Sequence, residues 1–258
     1  MSNKSEKYPI VSIVTPVYNS EKFLEEAINS VIYQSFKSWE MIIVDDCSSD
    51  KSVKIIKNII KCNSKIKLIR NLTNEGAGVS RNKAIKIAKG RYIAFLDSDD
   101  IWHVDKLKIQ INLMDEKKIS FSHTSYGYLS EDGKPIKSTF RVSAYPVGYK
   151  NLLKRTEISC LTAVYNQEII GKYYMTEHRR KQDYALWLEI LKDGHQSFPI
   201  DIELAYYRQN SRSATSKKWK LIFIHFTFLI ETQSMNFFSS IYYTLWWMYN
   251  GIIKYYLR

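Results

Sequence analysis

The chain has only three cysteines in 258 residues, Cys47, Cys62 and Cys160, far apart and without the paired spacing that zinc requires. A disulfide framework and a zinc module are therefore excluded. With no signal peptide ahead of Tyr8, a reduced, cytosolic setting is expected. No stretch reaches the roughly twenty uninterrupted apolar residues of a membrane-spanning helix. Internal repeats and low-complexity linkers are also missing. Acidic residues are outnumbered, 26 Asp and Glu against 38 Lys and Arg, a formal charge of +12. The expected partner is anionic: nucleic acid, a lipid surface or a phosphorylated substrate, and charge alone does not choose among them. The length allows one large domain or one domain with an appendage, and the second reading is adopted here.

What is present is concentrated at the ends of apolar runs. Arg91-Tyr-Ile-Ala-Phe-Leu-Asp97-Ser98-Asp99-Asp100 drives a strand, apolar on both faces, into three carboxylates within four residues. Like charges so close repel unless hydrogen bonds, a basic neighbour or a metal compensates them. In open α/β sheets ligands bind at the carboxyl ends of strands. An Asp-x-Asp there suits a divalent ion that keeps places for phosphate oxygens. For an isolated Asp-Ser-Asp-Asp, a solvated turn capping the next helix is the simpler account.

The surrounding pattern favours the first account. Strands at Val11 to Val17, Trp39 to Val44, Ile66 to Ile69 and Arg91 to Leu96 alternate with helices at Glu21 to Gln34, from Ser49 or Asp50 through Ile60, Gly76 to Ala88 and Val104 to Met114. Ser20 is placed as a cap of the first helix. This alternation predicts right-handed crossovers and a mainly parallel sheet covered on both faces. Past residue 118 the regularity fades: a strand at Ser120 to Leu129 with a tight turn at Glu131-Asp-Gly-Lys, a helix from Gly148 to Lys154, a strand at Leu161 to Tyr165 and an amphipathic helix from Gln182 to Lys192. From Lys217 the chain turns aromatic and basic, with Trp219, Trp246 and Trp247, and a boundary is placed near Ser216.

Several constellations carry chemistry. Thr15-Pro16-Val17-Tyr18-Asn19 ends the first strand, where Tyr18 could stack on a base; a Pro-containing turn accounts for the motif equally well. Asp45-Asp46 ends the second strand, where a carboxylate could accept from a ribose or from the imide of uracil, whereas Asp50 reads as a helix cap. Asn74-Glu75-Gly76-Ala77-Gly78 with Arg81 one turn further sets free amides and a guanidinium where phosphate binding is favoured. It is neither a P-loop nor the dinucleotide fingerprint. Asp183 enters a helix after Arg179-Arg180-Lys181, as a cap or as a base able to reach an acceptor hydroxyl. Arg208 and Arg212 lie in a polar loop whose cations could fold over a pyrophosphate.

The succession Val-Ser-Ile-Val-Thr-Pro-Val-Tyr-Asn (11 to 19), Ile-Ile-Val-Asp-Asp-Cys-Ser-Ser-Asp (42 to 50), Asn-Glu-Gly-Ala-Gly-Val-Ser-Arg-Asn (74 to 82) and Phe-Leu-Asp-Ser-Asp-Asp (95 to 100) resembles the family 2 glycosyltransferases of the GT-A fold. The resemblance is strong over residues 9 to 115 and looser from Gln182 to Ser213. It extends to bacterial enzymes of capsule, teichuronic acid and O-antigen assembly, including their segment after the acidic motif, here Ile101-Trp102-His103. It implies a nucleoside pocket lined by Thr15, Pro16 and Tyr18, with Asp46 at the base, Arg81 near base or phosphate, and Asp97 with Ser98 at the ribose or metal shell. It further implies Asp99, with Asp97, as ligands of Mn²⁺ or Mg²⁺ and Asp183 as catalytic base. Many relatives carry His where this chain has Asn210, which leaves Arg208 and Arg212 as the late contacts to the diphosphate.

The expectation is an inverting, metal-dependent transferase that moves a sugar from a nucleotide-sugar donor, UDP-linked, to a lipid-linked saccharide acceptor. Residues 1–216 form the catalytic domain, 8–115 binding the nucleotide and 116–216 the acceptor. Residues 217–258 are expected to form a helical tail lying on the inner face of the cytoplasmic membrane, the alternative being a helical cap that closes the catalytic domain. Two rivals are a metal-dependent phosphohydrolase or nucleotidyltransferase, and a nucleic-acid-binding module. The dispersed cations and acidic sheet edge speak against the latter.

Overall fold

A computed structural model describes residues 8–176, 180–209 and 218–256. In chain order the elements are β1 (Val11–Val17), α1 (Leu24–Ile32), β2 (Trp39–Asp45), α2 (Ser52–Cys62), β3 (Ile66–Arg70), α3 (Ala77–Ile87), β4 (Tyr92–Phe95), β5 (Ile101–Trp102) and α4 (Lys106–Glu116). They continue with β6 (Phe121–Leu129), β7 (Pro135–Phe140), α5 (Tyr149–Lys154), β8 (Val164–Asn166), α6 (Gln167–Ile170), α7 (Gln182–Lys192), β9 (Phe198–Arg208), α8 (Lys218–Gln233) and α9 (Phe237–Tyr256). The strands form one sheet in the order β3-β2-β1-β4-β8-β6-β9-β5, with β7 paired to β6.

The alternating half of the chain supplies the parallel part: β1 pairs in parallel with β2 and β4, and β2 with β3. Beyond β4 the sheet becomes mixed, with β8 antiparallel to both β4 and β6 and β9 parallel to β6. The period-2 alternation of side chains splits the core into two layers. Val14, Ile42, Val44, Ile93 and Phe95 face one layer with Trp187 of α7, while Val11, Ile13, Met41, Ile43, Tyr92 and Leu96 face the other. Trp187 is fully buried, its ring 5.3 Å from those of both Phe95 and Phe121. Such burial of a large aromatic clamps α7, and with it the residues at its start, against the parallel strands.

Some local expectations change. Ser20 does not cap α1 through its side chain: the helix starts at Leu24, and the Ser20 hydroxyl meets Ser98 Oγ at 2.7 Å and Tyr18 O at 3.2 Å instead. Asp50 does organise a helix start, accepting from the amides of Ser52 and, across to the α1 entry, Glu21, each at 2.9 Å. The strand expected over Leu161 to Tyr165 is a 3-10 turn at Cys160–Thr162 followed by β8. Ile101–Trp102, two residues too few to show a period, becomes β5 because β9 offers an edge to pair with.

A polar network is buried beneath the loop before β8. His123 Nδ1 lies 2.8 Å from Ser197 Oγ, its Nε2 faces Glu157 Oε1 at 3.5 Å, and Glu157 also accepts from the amide of Ser143. Burial pushes the Glu157 carboxyl up, but His123, Ser143 and Arg155 outweigh it and hold the group down at about 2. Its ordinary value of 4.5 applies in the unfolded chain. The stabilisation is therefore present above pH 4.5 and lost as pH falls toward 2. Glu157→Gln should lower stability at neutral pH by roughly 2–3 kcal/mol. The gap between variant and wild type in urea midpoints should close as pH falls through that window. A gap independent of pH would show that the carboxylate charge is not what holds this loop.

Candidate functional site

The carboxyl ends of β1, β2 and β4 converge on a cleft of about 710 Å³ lined by Pro16, Tyr18, Asp46, Arg81, Asp97, Ser98 and Asp99 among others. Residues 83 positions apart in sequence thus face one space because their strands are neighbours in the sheet. The rim is rigid. Asn19, held at φ +46°, donates its amide to Ser48 Oγ and accepts from the amide of Ser49, tying the loop after β1 to the loop after β2. Tyr18 projects into the opening, 52% exposed. Thr15 lies beneath, wholly buried in β1, and its Oγ1 has no hydrogen-bond partner among the described residues.

Asp46 is buried where the loop before α3 passes. Its Oδ1 accepts from Asn71 Nδ2 and the amide of Glu75, and its Oδ2 from the amide of Gly76, all at 2.8 Å. Two amides of the Gly-rich turn, read from the sequence as free for phosphate, are thus occupied by this carboxylate. The turn's second glycine has another purpose. A Cβ at Gly78 would stand 2.7 Å from the end of the Gln182 side chain, so α7 packs closely on the first turn of α3 and a larger residue there would displace that side chain. That contact brings Asp183, next to Gln182, toward Arg81.

Arg81 is the buried cation of the site, 7% exposed. Its Nη2 pairs with Asp97 Oδ1, its Nη1 lies 3.8 Å from Met175 Sδ, and its Nε has no partner among the described residues. Burial works against its charge, but Asp97 foremost, with Asp183 adding, holds it firmly protonated. Asp183 is half-buried. Burial raises its pKa above the usual carboxylate value; Arg81 and the start of α7 pull it back only in part, and Asp97 pushes it further up. Asp183 also lines a second cavity of about 380 Å³, against Tyr126, Phe140, Thr156 and Trp247.

Arg208 is placed differently from the sequence expectation. Only 2% exposed, it donates through Nε to Asp99 O at 2.9 Å and through its amide to Asp100 Oδ1 at 3.0 Å, pairs with Glu26, and lies over the ring of Phe23. It fastens the acidic loop from below instead of standing over the cleft, because β9 ends beside β5 and beneath that loop. Arg212 and Asn210 lie outside the described residues. The strut formed by Arg208, Asp100 and Glu26 was not anticipated; a carboxylate next to two others, unable to face the same solvent, was the available signal.

The donor set of the acidic loop fits a divalent cation. Asp97 and Asp99 border the open cleft, and the pKa of Asp100 is raised well above the carboxylate range by burial first and then by the negative charges of Asp99 and Asp97. Such crowding of oxygen donors suits a hard ion that takes part of its coordination from protein and part from phosphate or water. Among the described residues no group of three or more His, Cys, Asp or Glu is placed to hold a metal ion, so a cation bound here would take the rest of its coordination from the ligand or water.

The α8–α9 hairpin packs on α5 and α7. Phe228 and Leu229 join the same buried layer as Trp187, and Tyr149 of α5 donates to Gln233 at 3.0 Å. Lys181, in a left-handed conformation just before α7, points its amine at the rings of Tyr184, Phe228 and Trp247 and at His225. Burial brings its pKa down to about 7 although Asp183 draws it up. The hairpin's other face is exposed, Phe238 at 82% and Phe223, Phe237, Leu245 and Tyr249 each above half. Among the described residues no helix is long and apolar enough to cross a membrane.

Comparison with known proteins agrees with this architecture. The chain is 42% identical over 212 residues to a Bacillus subtilis protein named as the teichuronic acid biosynthesis glycosyltransferase TuaG, covering 82% of this chain and 84% of that one. It is 37% identical over 246 residues to WfgD of Escherichia coli, named as a UDP-Glc:α-D-GlcNAc-diphosphoundecaprenol β-1,3-glucosyltransferase, covering 95% and 94%. In fold it matches Staphylococcus aureus TarS, solved in complex with UDP-GlcNAc, with TM-score 0.71 at 20% identity over 94% of this chain and 72% of that one. It also matches the Pyrobaculum calidifontis mannosyltransferase PcManGT, solved with GDP-Man and Mn²⁺, with TM-score 0.66 at 13% identity over 92% and 70%. The family model described as glycosyl transferase family 2 matches residues 12–173, and the chain is a glycosyltransferase of that family with the GT-A fold.

Proposed function

We propose that the chain is an inverting glycosyltransferase that moves a sugar from a UDP-sugar to a hydroxyl of a lipid-linked saccharide during assembly of a cell-surface polysaccharide such as a capsule or an O-antigen. The observation that carries this reading is that members of one charge cluster line two cavities. Arg81 and Asp97 border the larger cleft, Asp183 borders the smaller, and Asp183 feels the charges of both. A donor in the first and an acceptor in the second would place the reacting atoms between them. The names of WfgD and of TarS in its complex support a UDP-sugar, and that of WfgD a diphosphate-lipid acceptor.

In this reading Tyr18 stacks on the base, Thr15 and Pro16 back the nucleoside, and Asp46 accepts from the uracil imide through Oδ2, which carries one internal hydrogen bond where Oδ1 carries two. Asp97 and Ser98 face the ribose, and Arg81 approaches the diphosphate. Asp97 and Asp99 would hold Mn²⁺ or Mg²⁺, which when bound supplies positive charge to the departing diphosphate. Asp183 takes the proton of the acceptor hydroxyl as that oxygen attacks the anomeric carbon from the face opposite the leaving group. One displacement inverts the centre, and a base so placed is typically worth ~10²–10⁴-fold in rate. Residues 1–216 are the catalytic unit, and 217–258 carry it on the inner face of the cytoplasmic membrane. The exposed aromatic face of α8–α9, with Lys154 5.2 Å over the ring of Trp246, supports contact with an anionic leaflet.

Asp99→Asn should keep the fold and lose the Mn²⁺-dependent part of the thermal shift produced by UDP. An unchanged shift would remove Asp99 from the metal set. Asp183→Asn should keep the full UDP shift and lose transfer by about 10²-fold or more. Wild-type kcat should fall along an acid limb lying above the ordinary Asp value of 3.8, because the raised pKa protonates the base earlier as pH drops. Near wild-type turnover in the variant would place the base elsewhere. The double change Phe237→Glu and Phe238→Glu, on an exposed turn, should weaken binding to anionic liposomes at low salt by about tenfold or more while UDP still binds, since each large apolar side chain is worth ~1.5–3 kcal/mol when buried. Wild-type liposome binding by that variant would make the hairpin a cap alone.

A further inference from the structure

The smaller cavity extends beyond the catalytic residues, and part of its wall belongs to α9, a helix outside the residues 12–173 that define the family. We propose that this cavity is the acceptor subsite, that it holds the saccharide ring whose hydroxyl is glycosylated, and that α9 shapes it by omitting a side chain at Gly251. This deepens the function proposed above and rests on it.

Position is the first support. Asp183 lines the cavity, so a ring seated there presents a hydroxyl to the carboxylate. Size and chemistry are the second. About 380 Å³ falls within the roughly 300–1,000 Å³ of small-molecule sites. The wall sets the aromatic carbons of Tyr126, Phe140 and Trp247 against the polar groups of Thr156, Ser159 and Asn250. A pyranose is amphipathic in the same sense, with C–H groups on its faces and hydroxyls around its edge.

Gly251 is the third support. It stands inside the twenty-residue helix α9, where glycine is the poorest helix former after proline. Its φ is not positive, and among the described residues a Cβ built on it meets nothing within 4 Å. Neither backbone conformation nor packing therefore demands glycine, yet the residue borders the cavity. One turn earlier and on the same face, Trp247 donates through Nε1 to Thr156 Oγ1 at 2.9 Å, and Asn250, the residue before Gly251, donates to Lys154 O at 3.1 Å. These bonds fix that face of α9 against the catalytic half, so the space over Gly251 is a feature of the fold. The missing side chain adds its volume to the cavity at the expense of helix propensity.

The test is a size series in the full chain, Gly251→Ala, Gly251→Leu and Gly251→Trp. Transfer of radiolabelled UDP-glucose or UDP-GlcNAc is measured into the lipid extract of the source organism's membranes, at increasing extract, together with the thermal shift produced by UDP and Mn²⁺. The apparent KM for extract should rise with side-chain volume, least for Ala and tenfold or more for Trp, while the UDP shift stays at its wild-type size. Wild-type dependence on extract in the Leu and Trp variants would overturn the proposal. So would a parallel loss of the UDP shift, which would make the effect a general disturbance. The Ala and Leu variants carry the test should the Trp variant fail to fold. Full transfer by Asp183→Asn would instead overturn the catalytic reading, and the size series would still judge the cavity by itself.

Discussion

Much of the site depends on one ion pair, between the buried Arg81 and the half-buried Asp97. The end of β4 gathers three carboxylates in four residues, a concentration of like charge that a folded sheet tolerates only with compensation. Arg81 supplies it from within, and its own charge survives burial because Asp97 and Asp183 flank it. Removing Asp97 leaves the buried Arg81 charge without its nearest partner, whereas removing Arg81 leaves a carboxylate that the open cleft still solvates. The pair also sets geometry: with Arg81 drawn to Asp97, α3 is anchored at the strand ends and Asp183 lies in the field of both.

Position in the fold decides what each arginine does. Arg81 lies on the first turns of α3 and faces the cleft; Arg208 closes β9 and is locked under the acidic loop by Glu26, Asp99 O and the amide contact to Asp100. Asp99 is thus held at the cleft through its backbone carbonyl, which accepts from Arg208 Nε. A rigid support of this kind suits a loop that must present crowded carboxylates in one arrangement, because preorganised charge costs no rearrangement when a ligand arrives.

The C-terminal hairpin has a buried inner face and an exposed outer one. Its inner face buries Phe228 and Leu229 with Trp187 and encloses Lys181, two residues from Asp183, in aromatic rings. Its outer face leaves several large aromatics in solvent, an unusual concentration for a monomeric surface. A single helix pair thus borders the cavity at Asp183 on one side and offers an apolar exterior on the other.

The first half was legible because each strand and helix there has its own hydrophobic period and its own punctuation. Val11–Val17, Trp39–Asp45 and the strand before Asp97 need no partner to be recognised, and a parallel α/β sheet sends their ends to one edge. The acidic loop, Tyr18, Asp46 and Arg81 could accordingly be named from the chain alone. What the amides of Glu75 and Gly76 bind, what Gly78 packs against, and why Arg208 turns inward could not, because each depends on a residue from a distant segment: Asp46, Gln182 and Asp99. The second half carried weaker signals for the same reason, its short strands β5 and β8 being defined by the edges they pair with and not by any period of their own. Sequence determined the strands, the charges and their order. Tertiary packing alone decided which charge faces the cleft, which is buried as a strut, and that the tail's Gly251 borders the same cavity as Asp183, because those are properties of contact between segments that local patterning does not encode.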